Sequence, residues 1–221
     1  MKAAHVSWRM YIRNGIGRRL SQIGEFLGEE WLIYNPLVMR QFHDEAKRNA
    51  PIVAAAIIEL FPLAKVLLDV GCGSGAFAAE FNRLGRSAIG LERSPHGRAL
   101  AQKQAVDCRD FDLSRETVTN LVGSVDLVYC LEVAEHLSSS LGRKLIEFIS
   151  SFHKPVIFSA AQPGQGGTGH VNEQPMEHWI NIFNQNGFSF DAERTGELRG
   201  RFARSNAAYW FQRNTIVVLP E

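Results

Sequence analysis

Residues 66–75 read Val66-Leu67-Leu68-Asp69-Val70-Gly71-Cys72-Gly73-Ser74-Gly75. A short aliphatic run of this kind predicts a buried strand, and the glycines that follow predict a tight turn. Residues 76–84 continue as a helix, which Gly85 closes. A second strand follows over residues 87–91 and ends at Glu92. Ser94 and Pro95 then open another helix, as N-cap and first-turn residue.

Working outward, further strands are expected at residues 105–109, 125–131, 155–159, 188–192 and 215–219. Helices are expected at 141–152 and 177–186. Strands that alternate with helices imply a parallel sheet with right-handed crossovers. The last strands have no full helix pattern between them, which suits one antiparallel strand at the end of the sheet. The fold class is therefore α/β: a seven-stranded, mostly parallel sheet with one antiparallel strand and helices on both faces. Residues 1–62 form a helical N-terminal cap, and 63–221 form the sheet domain. In the cap, Ile12, Ile16, Leu20, Ile23 and Leu27 recur at helical spacing, and a second helix is expected to start at Pro51.

The bulk properties narrow the classes of function. The chain has 221 residues, with 24 Lys plus Arg against 23 Asp plus Glu, a formal charge of +1. No global attraction to nucleic acid follows from that balance, although a local patch would not show in it. No apolar run reaches the roughly 20 residues that span a bilayer. The basic N-terminus (Lys2, Arg9, Arg13, Arg18, Arg19) lacks the apolar core of a secretory signal. Cys72, Cys108 and Cys130 are odd in number and lack metal-ligand spacing, so a secreted disulfide framework is not expected and a cytoplasmic location is.

In a sheet of this type, ligands bind at the carboxyl ends of the strands. The glycine turn is then the floor of the site. Gly71, Gly73 and Ala76 loosely fit a dinucleotide fingerprint, but Asp69 argues against one. A carboxylate there opposes a pyrophosphate and suits an ammonium group. Glu92 ends the second strand, where its two oxygens can accept both hydroxyls of a ribose.

With the segments LLDVGCGSG (67–75), IGLE (89–92) and VDLVYCLEVAEHL (125–137), the chain resembles the class I S-adenosylmethionine-dependent methyltransferases over about residues 60–219. That resemblance implies a Rossmann-like fold and S-adenosylmethionine as cofactor. It implies that Asp69, Gly71 and Gly73 line the methionine end, that Cys72 and Gly75 of the same turn also bind the cofactor, and that Glu92 holds the ribose diol. Asp112 with Leu113 would lie beside the adenine, with Asp110 the close competitor. Cys130 and Leu131 would border the cofactor.

The patch Glu132-Val133-Ala134-Glu135-His136 also resembles the ubiquinone-biosynthesis O-methyltransferases and the small-RNA 2′-O-methyltransferases. The resemblance implies that Glu132, Glu135, His136 and the later His170 can hold a divalent cation beside an acceptor oxygen. A metal-free role for His136 or His170 as general base, with Glu132 beside them, fits the same residues. The expected function is methyl transfer to a hydroxyl of a small molecule, sugar or glycan. Alternatives are an RNA 2′-O-methyltransferase, a nucleotide-dependent oxidoreductase and a non-catalytic cofactor-binding protein. Trp31, Tyr34 and Arg40 of the cap are candidates to reach the acceptor. Trp179 and Phe183 are expected in the core.

Overall fold

The computed structural model describes residues 8–27, 29–115 and 122–221. Its strands are β1 (Val66–Val70), β2 (Ser87–Glu92), β3 (Asp107–Asp110), β4 (Leu127–Leu131), β5 (Val156–Ser159), β6 (Phe188–Phe190) and β7 (Ile216–Pro220). They form one seven-stranded sheet in the order β3-β2-β1-β4-β5-β7-β6. All pairings are parallel except those of β7, which runs antiparallel to both β5 and β6. The strand order reverses between β1 and β4, so a crevice opens at their carboxyl ends. Asp126 sets the register there. Its Oδ2 accepts from Lys65 N at 2.8 Å and Val66 N at 2.9 Å, which locks the start of β1 against the start of β4.

Side chains alternate across the sheet and divide the core in two. Leu68, Val70, Val128, Cys130 and Phe158 pack on one face, beneath α6 (Ser139–Ser150) and α7 (Met176–Gln185). Leu67, Leu127, Tyr129 and Ile157 pack on the other, with α4 (Ala76–Arg83) and the helices at the two ends of the chain. Trp179 and Phe183 lie in the first core, as their helical spacing suggests. The remaining helices are α1 (Trp8–Leu27), α2 (Glu30–Ile33), α3 (Pro36–Leu60), α5 (Pro95–Lys103), α8 (Ala192–Arg204) and α9 (Tyr209–Asn214). Among the described residues no helix is long and apolar enough to cross a membrane.

Three expectations are corrected by the packing. First, Pro51 does not open a helix; it lies inside α3, which starts at Asn35-Pro36. Asn35 Oδ1 accepts from Leu37 N and Val38 N, a good N-cap followed by Pro at the first turn. An interior proline costs about 3 kcal/mol. Burial of Val53 and Ile57 stabilises by roughly 1.5–3 kcal/mol each and offsets it. Second, α8 fills the interval between β6 and β7. Thr195, Leu198 and Phe202 form its buried stripe, interrupted in sequence by glycine and arginine. Third, the apolar spacing in α1 does not mark its buried face. Ile16, Ile23 and Leu27 are exposed, whereas Gly17, Ser21 and Gly24 are buried. Small residues let α1 lie close on its neighbours: a Cβ on Gly24 would sit 2.6 Å from Ile33 N. Lys2 lies outside the described residues, as do the side chains of Arg9, Ile12, Arg13 and Trp31.

Asn49 joins the two ends of the chain. Its amide donates to Glu45 O at 3.0 Å, and its Oδ1 accepts from Ala208 N at 2.7 Å. Asn49→Ala removes the acceptor and leaves a buried N–H unpaired, so it should destabilise the fold by about 1–3 kcal/mol. Urea unfolding followed by far-UV circular dichroism checks this; an unchanged midpoint would show that the tie contributes nothing.

Candidate functional site

The floor of the crevice is the turn after β1. Gly71 N and Cys72 N both donate to Leu91 O, at 2.9 and 3.0 Å, which pins the turn to β2. Gly71 has φ +77°, and a Cβ there would lie 2.6 Å from Val133. Only glycine meets both conditions. A Cβ on Gly73 would meet nothing within 4 Å, so the turn faces open space at that point. Gly75 is the N-cap of α4, also at positive φ.

Two carboxyl groups flank this turn. Glu92 Oε2 accepts from Gly73 N at 2.8 Å, and Oε1 accepts from Ser94 N at 2.6 Å. Burial nevertheless raises its pKa, because those bonds and Arg98 compensate only part of the lost hydration. Asp69 is 3% exposed, and its Oδ2 has no hydrogen-bond partner among the described residues. Burial pushes this carboxyl well above the usual aspartate range; the neighbouring Tyr129 phenol offsets part of the shift, and Cys108 and Glu92 add to it. An orphaned carboxyl that faces a glycine turn fits an incoming cationic group.

The remaining cofactor candidates are placed less uniformly. Asp110 ends β3 beside Glu92, but its exposed carboxylate pairs with Arg98 at 2.7 Å. Asp112 is more sheltered. Its Oδ1 accepts from Ser114 N and Oγ, and Arg93 and Arg115 lie within ion-pair range. Leu113 packs into the first core. The Cys130 thiol is wholly buried there too, so only its backbone is left to border a ligand; Leu131 is half-buried.

The second group lies on the rim after β4. Glu132 directly follows β4 at φ +56°, a costly conformation for a non-glycine residue. Its N donates to Ser159 O at 2.9 Å, and its carboxylate accepts from Asn214 and Gln165. A 3₁₀ turn, Ala134–His136, follows. The loop after β5 folds over it: Val171 N and Asn172 N both donate to Glu135 O. His170 is thereby brought against His136, with ring centroids 4.9 Å apart. One ligand-type atom from each of Glu135, His136 and His170 falls within a group no wider than 4.8 Å.

The polarity of this group is specific. His136 Nδ1 faces Gly169 O at 3.3 Å, and His170 Nδ1 faces Glu173 Oε1 at 2.9 Å. Both acceptors call for a proton on Nδ1, which in a neutral ring leaves the lone pair on Nε2. Glu135 is fully buried, and among the described residues neither carboxyl oxygen completes a hydrogen bond, although the Glu132 carboxyl lies beside it. Burial first, and the Glu132 charge second, hold Glu135 well above the usual carboxylate range. Burial and the neighbouring His170 push His136 down to about 4, so it is neutral at pH 7. Glu132 itself is turned toward Asn214 and Gln165 and stands beside the three-residue group, outside it.

Sequence reading missed three members of the site. Glu173 accepts from Gly164 N, Gly166 N and His170, and so organises the glycine-rich loop. His43 of α3 reaches the cofactor turn, with Nδ1 2.9 Å from Ser74 Oγ. Phe42, one residue earlier, lies against His136 together with Tyr34 from the end of α2, at ring-centroid distances of 6.4 and 5.9 Å. A helix started at Pro51 hides Phe42 and His43, whereas the Asn35-Pro36 signal exposes them. Arg40 is exposed.

A parallel sheet with a glycine turn and flanking acids at its switch point defines a nucleotide-type cofactor-binding fold. A family model described as "Methyltransferase domain" matches residues 42–158, and the chain belongs to that family. A ubiquinone biosynthesis O-methyltransferase from Albidiferax ferrireducens is 32% identical over 88 residues, which cover 37% of this chain and 35% of the relative. The chain thus matches about a third of the length of such relatives. Among solved structures, an O-methyltransferase family protein from Burkholderia thailandensis aligns with TM-score 0.64 and 14% identity, covering 98% of this chain and 69% of that one. CalS10, an amino pentose methyltransferase from Micromonospora echinaspora, aligns with TM-score 0.58 and 19% identity over 80% of this chain and 92% of that one. At these identities the structures establish the fold.

The Asp69 shift generates a prediction with a definite sign. An unfolded aspartate ionises near about 3.9. The folded group keeps its proton to higher pH, so stability is lost as pH rises from about 4 through the folded pKa. Asp69→Asn removes that loss. It should melt at or above the parent temperature at pH 7, with the difference shrinking toward pH 4. Calorimetric scans across this range check it; a variant less stable at pH 7 than at pH 4, relative to parent, would contradict the assignment.

Proposed function

We propose that this chain transfers the methyl group of S-adenosylmethionine to a hydroxyl oxygen of a small molecule or sugar. The observation that carries the reading is the meeting, on one rim, of the Asp69–Glu92 glycine cradle with the Glu135–His136–His170 group. The orphaned Asp69 oxygen and the open space over Gly73 fit the ammonium end of this cofactor. Bound there, S-adenosylmethionine supplies an electrophilic methyl carbon on a good leaving group.

The protein's part is then alignment and proton management. Asp69 offers its carboxylate to the ammonium group, and Glu92 offers the ribose diol its remaining lone pairs. Asp112, with Leu113, is the proposed adenine neighbour. Alignment and exclusion of water can lower such a barrier by roughly 7–11 kcal/mol. An acceptor hydroxyl must still lose its proton. His136, neutral at pH 7, presents an unprotonated Nε2 for that task, with His170 beside it; Gly169 O and Glu173 fix the two rings.

The same donor set fits a divalent cation. Two imidazoles whose Nδ1 atoms are tied to acceptors, with an unpartnered buried carboxylate, are the arrangement in which outer partners orient metal ligands. Glu135, His136 and His170 would hold the ion, with Glu132 as a neighbouring carboxylate, and the ion would acidify and orient the acceptor oxygen. Imidazole donors suit Zn, and the carboxylate suits Mn or Mg. Residues 1–62 serve as the cap that contributes Tyr34, Phe42 and His43 to the site, and 63–221 hold the cofactor. The ubiquinone-biosynthesis and amino-pentose relatives support a small acceptor. Three free cysteines suit a reducing, cytoplasmic location.

Cofactor binding is the first test. Calorimetry should show S-adenosylhomocysteine binding and no NAD binding. Glu92→Ala should weaken that binding by roughly 1.5–3 kcal/mol, the range for hydrogen bonds to a charged group, and Glu92→Gln by less. Parent-like affinity in Glu92→Ala would remove Glu92 from the ribose site. A transfer screen with labelled cofactor against phenols, sugars, glycans and short RNAs tests the acceptor; label on RNA alone would overturn the small-molecule reading.

The cation has its own test. Zn or Mn should bind the parent and not His170→Ala, and a chelator should abolish transfer while S-adenosylhomocysteine still binds. Transfer that persists in chelator, and falls in His170→Ala with recovery at high pH, would replace the ion by a histidine base.

A further inference from the structure

Cys72 and Cys108 come from different parts of the chain, yet their sulfurs lie 3.5 Å apart. Cys72 belongs to the cofactor turn, and Cys108 sits on β3. Gly90 of β2, in register with Cys108, separates them in the sheet. A Cβ on Gly90 would stand 2.5 Å from Cys72 Sγ and 3.8 Å from Cys108 Cβ. The missing side chain at Gly90 is therefore the space in which the two thiols meet. Cys130, the remaining cysteine, is fully buried on the other face of the sheet.

We propose that Cys72 and Cys108 are a redox-active thiol pair, closed to a disulfide by peroxides and reopened by dithiols. Cys108 is the partly exposed member and the attacking one; Cys72 is buried and resolves. The Cys108 sulfur attacks a peroxide oxygen, the O–O bond breaks, and a sulfenic acid and one water form. The Cys72 sulfur then attacks that sulfenic sulfur, an S–S bond forms, and hydroxide leaves with the Cys72 proton as a second water. Two thiols lose two electrons, and one hydrogen peroxide becomes two waters. The hydrogen bond between the thiols favours a thiolate on Cys108, holding it below the ordinary thiol range, and raises Cys72.

Closure has a consequence for the cradle, and that part rests on the methyl-transfer reading above. A disulfide spans about 2.05 Å, so the sulfurs must approach by about 1.5 Å. Cys72 is the neighbour of Gly73, whose N–H is held by Glu92, and both Cys72 N and Gly71 N are held by Leu91 O. Drawing Cys72 toward β3 shifts the turn that the cofactor must meet. Oxidation should therefore reduce cofactor affinity.

The test treats the full chain with hydrogen peroxide, followed by alkylation, digestion and mass spectrometry. The expected product is one Cys72–Cys108 linked peptide, two hydrogens lighter than the free pair, reversed by dithiothreitol, with Cys130 recovered as a free thiol. Cys108→Ser should give no link, keep the parent affinity for S-adenosylhomocysteine, and hold it in peroxide, whereas the parent should lose affinity severalfold and regain it on reduction. Oxidation of Cys108 to higher acids without the link would overturn the pair. A link that leaves affinity unchanged would overturn its control of the cradle. If the reduced parent binds no S-adenosylhomocysteine at all, the methyl-transfer reading falls, and the linked peptide alone still decides whether the pair exists.

Discussion

Carboxyl groups without enough water organise this molecule. Asp69, Glu92, Glu132 and Glu135 crowd the carboxyl ends of β1, β2 and β4, three adjacent strands, or the turns that follow them. Burial raises the pKa of all four. Glu92 and Glu132 are largely satisfied, by backbone N–H groups in one case and side-chain amides in the other. Asp69 and Glu135 are left with orphaned oxygens. A fold keeps such groups only where the surrounding packing outweighs them, and they mark where positive charge would be stabilising. One orphan faces the glycine turn, the other the two histidines.

Around that rim, the fold spends its backbone bonds on holding loops in place. Leu91 O anchors the cofactor turn, Glu135 O anchors the loop after β5, and Glu173 gathers that loop's N–H groups around His170. Each anchor is an acceptor that takes two or more bonds. The strained φ of Glu132 has the same logic: its bonds to Ser159, Asn214 and Gln165 over-determine a conformation that the residue alone would avoid.

The N-terminal helices add a roof to this floor. The second half of α3 is part of the core, with Val53 and Ile57 against the sheet. Its first half carries Phe42 and His43 over the site, and Asn35 holds α1 and α2 to its start by donating to Gly17 O and Leu32 O. One helix therefore links core stability to the covering of the crevice.

The sheet and the cradle were legible in the sequence because their signals are local. Aliphatic runs of strand length, glycines that end them, and Ser94-Pro95 before a helix all act within a few residues. The placement of Asp69 and Glu92 follows from strand ends, which a parallel sheet aligns on one edge. The α3 start and α8 were missed for different reasons. At Asn35-Pro36 the local signal is present, but Pro51 carries the same first-turn signal nearer the apolar run; in α8, glycines and arginines blur the stripe of Thr195, Leu198 and Phe202 that packs against the sheet. What the tertiary structure alone decided are the meetings of residues far apart in the chain. His136 meets His170 because the loop after β5 bonds back to Glu135 O. Glu132 turns aside because Asn214 and Gln165 offer it donors. Cys72 meets Cys108 because Gly90 carries no side chain between them. Each depends on crossovers that bring separate segments together, and no spacing along the chain encodes a distance of that kind.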